Sequence, residues 1–259
     1  MTPGAYRRRL DLISRGVLKV AHAAALLLLG PRNVGAPQGD VVVVPMEYRA
    51  AFVDVVLPQV TVAREEAYGV AVEFMDAQRA VQGAKTPPPI PEIREYKREF
   101  LQAGVDEALD SNKVNPIDAV VGTVVKHVEA AARAVPEDSA KAQNESRPPG
   151  VEAQGWARML TGADNCPFCV TLASRGAVYS SRNTALYGGD MQGYHPNCDC
   201  IAVPVFNRKT WPGWAEARRL YAFYEKAAAE HPDTHGINAV RRYLNDHDLP
   251  QIPDLRTVA

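Results

Sequence analysis

Apolar side chains recur every three or four residues through the first half of the chain. This period is typical of amphipathic helices, and it dominates over the alternation expected of β-strands. It predicts an Ala- and Leu-rich helix over residues 6–29, closed by a Gly-Pro pair. Helical spacing returns from Met46 to about Ala80, although Pro58 lacks an amide proton and is expected to kink or break that run.

The clearest start of a helix is Asn115-Pro116-Ile117-Asp118. Asn115 can accept a hydrogen bond from a free amide of the first turn, and Pro116 suits the first helical position. The carboxylate of Asp118 favours the positive end of the helix dipole. Valines follow at helical spacing, and we expect them to lie in the core.

The second half is less regular. Residues 136–150 are polar and bracketed by prolines, which predicts a hinge or a polar helix ending near residue 148. Residues 155–162 are interpreted as a short helix with a glycine stop, and residues 170–174 as a helical turn. Residues 176–180 and 201–206 favour two short strands that would pair as a β-hairpin.

Aromatic and apolar positions after residue 210 predict a helix to about His231 and a final helix marked by Ile237, Val240 and Leu244. The fold class expected is therefore mainly α, with a small α+β zinc-binding module in which a short β-hairpin surrounds the Cys/His cluster. The expected domains are a helical N-terminal domain (1–138), a linker or hinge (139–155), the Cys/His zinc module (156–208) and C-terminal helices with a tail (209–259).

The candidate chemistry lies in one cluster of cysteines. The chain has only four, and all fall within one window, as Cys166-x-x-Cys169 and then His195-x-x-Cys198-x-Cys200. Structural Zn²⁺ takes four sulfur or nitrogen ligands at tetrahedral corners, usually from two short ligand pairs. Five candidates exist for four corners, so the sequence leaves open which of the last two cysteines completes the site, although we favour Cys200.

Three other interpretations of the cluster are weaker. Burial as small apolar residues predicts no clustering. Disulfides need an oxidising compartment, and the apolar run near the N-terminus is a poor signal peptide that is also too short and too polar to span a membrane. A redox Cys-x-x-Cys should follow a strand inside a βαβ unit, whereas the residues before this motif are interpreted as a short helix. Because the donors are rich in thiolate and the chain has no His-Glu-x-x-His motif, structural zinc is favoured over catalytic zinc.

Composition narrows the function only slightly. With 259 residues, of which 46% are hydrophobic, the chain can form a sizeable core, and its net charge of -1 gives no general attraction to nucleic acid. Arg8, Arg15 and Lys19 nevertheless share one stripe at helical spacing. That stripe is either a solvated helix face or a contact for DNA or an acidic partner.

Cys166-x-x-Cys169, residues 172–179 (Leu-Ala-Ser-Arg-Gly-x-Val-Tyr) and residues 194–200 (Tyr-His-Pro-Asn-Cys-Asp-Cys) together resemble the signature block of the phage Mu F-like minor head proteins. The version they resemble is that of tailed phages of actinobacteria, and the match lies mainly in residues 150–208. The resemblance implies a virion component present in few copies, at or near the portal inside the head. The portal protein and the major capsid or scaffold protein would be its partners, with packaged DNA as a further candidate. The protein would act in head assembly or in DNA packaging and ejection, and would pass through the host cytoplasm during assembly.

Enzymatic alternatives stay open. Proteins of this resemblance are often labelled capsid maturation proteases, for which Ser174 or Ser180 would be the candidate nucleophile, but the chain shows no protease motif. A zinc-dependent nuclease would instead use His195 in catalysis.

Overall fold

The computed structural model describes residues 1–30, 43–84, 92–111, 115–146, 153–160, 166–186 and 200–247. Within these ranges the chain is mainly helical, with one two-stranded antiparallel sheet. The elements are α1 (Pro3–Leu28), α2 (Met46–Val81), α3 (Arg98–Ser111), α4 (Pro116–Ser146), β1 (Gly155–Leu160), α5 (Pro167–Ser174), α6 (Arg182–Leu186), β2 (Cys200–Val205), α7 (Trp214–Glu230) and α8 (Ile237–Asp246).

The chain divides into two compact units. The helical unit consists of Arg8–Val72 and Glu92–Ala134. The sheet unit consists of Met1–Arg7, Glu73–Pro91 and Val135–Ala259. Helices α1, α2 and α4 each contribute residues to both units.

The helical unit follows the periodic pattern of its sequence closely. The helix predicted over residues 6–29 is confirmed as α1. Of the kink and the break expected at Pro58, the break does not occur, because α2 continues through the proline. The physical reason is that Phe52, Val56 and Val60 around the proline are fully buried. Their burial outweighs the cost of about 3 kcal/mol that a proline imposes in a helix interior.

The cap predicted for α4 is present. The backbone N–H of Asp118 donates to Asn115 Oδ1 at 3.3 Å, and the helix begins at Pro116. Val120, Val124 and Val128 on the following face are buried, as their spacing predicted. Of the two alternatives for residues 136–150, the polar helix agrees with the structure as far as residue 146.

A half-buried polar cluster lies inside the helical unit. Tyr96 Oη is 2.7 Å from His127 Nδ1, and the Arg64 guanidinium carbon lies 4.0 Å from the centre of the Tyr96 ring. Burial raises the pKa of Tyr96 to about 12, so its hydroxyl stays protonated and shares a hydrogen bond with the imidazole. Burial, with the positive charges of Arg64 and Lys126, lowers the pKa of His127 to about 4. The cluster is therefore built around a neutral histidine.

The sheet differs from the predicted hairpin. Strands β1 and β2 pair in antiparallel register, with Leu160 opposite Cys200, and all twelve strand residues are buried. The helix expected over residues 155–162 is wrong for its first six residues, which form β1. A strand buried on both sides shows an apolar run without alternation, which periodicity cannot distinguish from a buried helix. The strand predicted at 176–180 contributes only an isolated bridge between Tyr179 and Trp156.

The two helices predicted near the C-terminus are confirmed as α7 and α8. Leu220 of α7 belongs to the same buried cluster as Trp156 of β1 and Cys169 of α5. The sheet and the helices α5 and α7 thus share one core. In the part of the chain that the structure describes, no helix is both long and apolar enough to cross a membrane.

Candidate metal centre

The first half of the cysteine cluster forms the start of α5. Cys166 is the N-cap residue in an extended conformation, and Pro167 occupies the first turn. The backbone N–H of Cys169 donates to Cys166 Sγ at 3.3 Å. A helix N-terminus favours a negatively charged sulfur, and amide-to-sulfur hydrogen bonds stabilise a thiolate further. The turn is therefore suited to hold thiolates.

The second half reaches the same place from a distant part of the chain. Cys200 is the first residue of β2, and its Sγ lies 3.1 Å from Cys169 Sγ. Both cysteines are fully buried. The separation is about 1 Å too long for a disulfide bond, whose sulfur atoms lie ~2.05 Å apart. The fold thus brings two thiol groups from different elements into contact.

Two of the remaining candidate ligands, His195 and Cys198, lie outside the described residues. Within the described residues, no three His, Cys, Asp or Glu side chains are grouped so as to hold a metal ion. Cys166 Sγ accepts the hydrogen bond from the Cys169 amide described above.

The donor set fits zinc in chemistry and nearly in distance. Sulfur ligands at ~2.3 Å from a tetrahedral ion lie about 3.8 Å from one another. The observed 3.1 Å between Cys169 and Cys200 is shorter, so small side-chain rotations would open the pair to that spacing. The Cys-x-x-Cys motif does follow a strand, but β1 and β2 are antiparallel, so these elements do not form the βαβ unit of a dithiol site.

The surroundings of the two sulfurs are mainly apolar. Phe168, Leu172 and Ala202 are among the buried residues of the same cluster. Tyr179 donates its hydroxyl to the Leu172 carbonyl at 2.9 Å. Burial raises the pKa of Tyr179, an effect that the positive charges of Arg175 and Arg158 oppose.

Sequence reasoning missed Arg158. Its side chain is buried in the middle of β1, with a relative exposure of 1%, and its guanidinium carbon lies 5.8 Å from the centre of the Phe168 ring. The signal was one charged residue within the run Trp-Ala-Arg-Met-Leu of residues 156–160. In the helix expected there, the arginine could have faced solvent. In a strand that is buried on both faces, its side chain is buried with its neighbours.

The serines considered as nucleophiles make local contacts. The buried Ser174 hydroxyl donates to the Thr171 carbonyl at 2.9 Å. Ser180 Oγ lies 3.5 Å from Thr184 Oγ1 on an exposed turn. Both contacts are of the kind that serine makes when it stabilises a turn or a helix end.

The basic stripe lies on α1. Arg8, Arg15 and Lys19 are exposed, and Arg15 forms an ion pair with Asp11 at 2.7 Å. This pair neutralises part of the charge that the stripe presents to solvent.

Comparison with known proteins extends these observations. The model of a family described as VG15 protein matches residues 39–227. The chain is 26% identical over 242 residues to the Gene 15 protein of Mycobacterium phage L5, across 73% of this chain and 81% of that protein. It is 27% identical over 233 residues to the Gene 15 protein of Mycobacterium phage D29, across 73% of this chain and 83% of that protein. No solved structure matches the chain significantly.

Proposed function

The chain belongs to the VG15 family of phage proteins, and we propose that it is a minor head protein of a tailed bacteriophage. In this role it is a virion component associated with the portal and with the major capsid or scaffold protein. It acts in head assembly or in DNA packaging and ejection, inside the head near the portal. The resemblance of the Cys/His block to the phage Mu F-like minor head proteins supports this assignment, together with the phage origin of the relatives.

We further propose that a structural Zn²⁺ holds the sheet unit together. The observation that carries this proposal is the contact of 3.1 Å between the sulfurs of Cys169 and Cys200, which come from a helix start and a strand 31 residues apart. The ligands are drawn from Cys166, Cys169, His195, Cys198 and Cys200, with Cys200 favoured over Cys198 as the fourth. When bound, zinc supplies cross-linking rather than catalysis.

The fold gives this cross-link a physical purpose. The described part of the unit contains a sheet of only two strands, and such a sheet is marginally stable without further support. Structural zinc contributes on the order of 10 kcal/mol to the folding of small modules. The ion would stabilise the junction between the start of α5 and the start of β2.

The zinc proposal is tested by elemental analysis of the purified full chain. We expect about one zinc ion per chain, lost in Cys169→Ser and in Cys200→Ser. The matched control is His235→Gln, which removes an exposed histidine of the same unit and should leave the metal in place. A metal-free wild-type chain whose sheet unit resists protease equally well with and without a chelator would refute the proposal.

The head assignment is tested on particles. In a phage that encodes this chain, we expect the protein in purified virions at few copies per particle, and retained in heads separated from tails. A nonsense mutation should leave heads that lack a full genome or fail to deliver it. Absence of the protein from purified virions would refute a virion role while leaving the zinc proposal untouched.

A further inference from the structure

We infer that the buried guanidinium of Arg158 is the cation that balances the negative charge of the cysteine site, and that it thereby raises the affinity of that site for metal. The inference rests on the zinc site proposed above. It assigns a role to a residue that lies outside the Cys/His block.

The register of the sheet places Arg158 on the face that carries Cys200. Arg158 pairs with Ala202, and Leu160 pairs with Cys200. Residues two apart on a strand share a face, so Arg158 and Cys200 are diagonal neighbours on one side of the sheet. Diagonal neighbours lie roughly 7–8 Å apart at their Cα atoms, which is within reach of an arginine side chain.

A second contact locates the guanidinium independently. Its central carbon lies 5.8 Å from the centre of the Phe168 ring. Phe168 directly precedes Cys169, whose sulfur touches that of Cys200. The register and this ring contact therefore place Arg158 on the face of the sheet where the two sulfurs meet.

Charge counting explains what the cation does. Zn²⁺ with three thiolates and a neutral imidazole carries a net charge of about -1, and one guanidinium brings the assembly to about zero. Cys169 and Cys200 are fully buried, and Arg158 is 1% exposed. Separated charges of either sign are costly in such a place, whereas a neutral assembly is tolerated. The five N–H donors of the guanidinium also suit hydrogen bonds to sulfur.

The test compares three substitutions at one position with a control elsewhere in the unit. Arg158→Met and Arg158→Gln remove the charge, and Arg158→Lys retains it. The control is Arg79→Met, because Arg79 is equally buried and its guanidinium carbon lies 5.6 Å from the ring of Phe206. Zinc affinity is measured by competition with a chromophoric chelator on full-length protein, and the thiolate-to-metal bands of the Co²⁺ form report the ligand set.

Loss of groups that surround a metal site typically weakens binding 10- to 100-fold, and we expect roughly that loss for Arg158→Met and Arg158→Gln. Arg158→Lys should recover most of it, and Arg79→Met should leave affinity unchanged, with Co²⁺ bands unaltered throughout. The glutamine variant decides the question should the methionine variant not fold. Equal affinity in wild type and Arg158→Gln, or equal losses in Arg158→Lys and Arg158→Gln, would overturn the inference. Wild-type protein without zinc would instead overturn the proposed site itself.

Discussion

Acidification should destabilise the helical unit through one histidine. The pKa of His127 is lowered from 6.5 to about 4 by burial and by the charges of Arg64 and Lys126. Protons therefore bind more tightly to this histidine in the unfolded chain than in the folded one, so protonation favours unfolding. The stability that comes from keeping His127 neutral is complete above pH 6.5 and is lost as the pH falls from 6.5 toward 4. A difference of about 2.5 pKa units corresponds to roughly 3 kcal/mol.

The experiment compares wild type with His127→Gln, which is neutral at every pH. Urea unfolding is followed by circular dichroism at intervals between pH 8 and pH 4. Carboxylate titration and any metal loss affect both proteins, so they cancel in the difference between the two free energies of unfolding. We expect this difference to move by about 3 kcal/mol against wild type on acidification.

The matched control is His235→Gln, which replaces an exposed histidine outside the cluster of Tyr96 and His127. A histidine NMR titration gives the same quantity directly. A measured pKa of His127 near 6.5, or a free-energy difference that does not change with pH, would refute the reasoning from burial.

Three further outcomes follow from local contacts. A Cβ added at Gly104 would clash with Nε2 of the half-buried His127 imidazole, so Gly104→Ala should destabilise the protein by roughly 1–3 kcal/mol although alanine favours helices. Gly69→Ala, with nothing within 4 Å of the new methyl group, should raise the melting temperature. A rise in both variants would contradict the contact. Asn115→Ala should lower the free energy of unfolding by about 1 kcal/mol through loss of the cap, whereas Asn115→Asp should keep the cap and its stability. Equal stability of the alanine and aspartate variants would show that the cap is unimportant. If the basic face of α1 binds DNA, the double variant Arg8→Gln, Lys19→Gln should bind DNA more weakly. The slope of the logarithm of the binding constant against the logarithm of salt concentration should become shallower by up to about 0.9 per lost phosphate contact. An unchanged slope would exclude this face.

The helices were largely predictable because their signals are local. The cap at Asn115 and the apolar spacing of α1, α2, α7 and α8 act over one or two turns, and a single sequence records them directly. The exception is Pro58, whose local cost is outweighed by burial of side chains that only packing reveals. The grouping of the four cysteines also marks a candidate metal site without any structure, and that site stays a prediction.

The sheet and the surroundings of the cysteines depended on contacts between distant residues. Residues 155–160 resemble a helix in composition, and they become β1 because β2 offers hydrogen-bonding partners 40 to 50 residues later. The same pairing buries Arg158 and sets Cys200 beside Cys169. Spacing along a chain reports which side chains share a face of one element. It carries no information about which elements meet, because that is settled by the burial and hydrogen bonding of the whole unit.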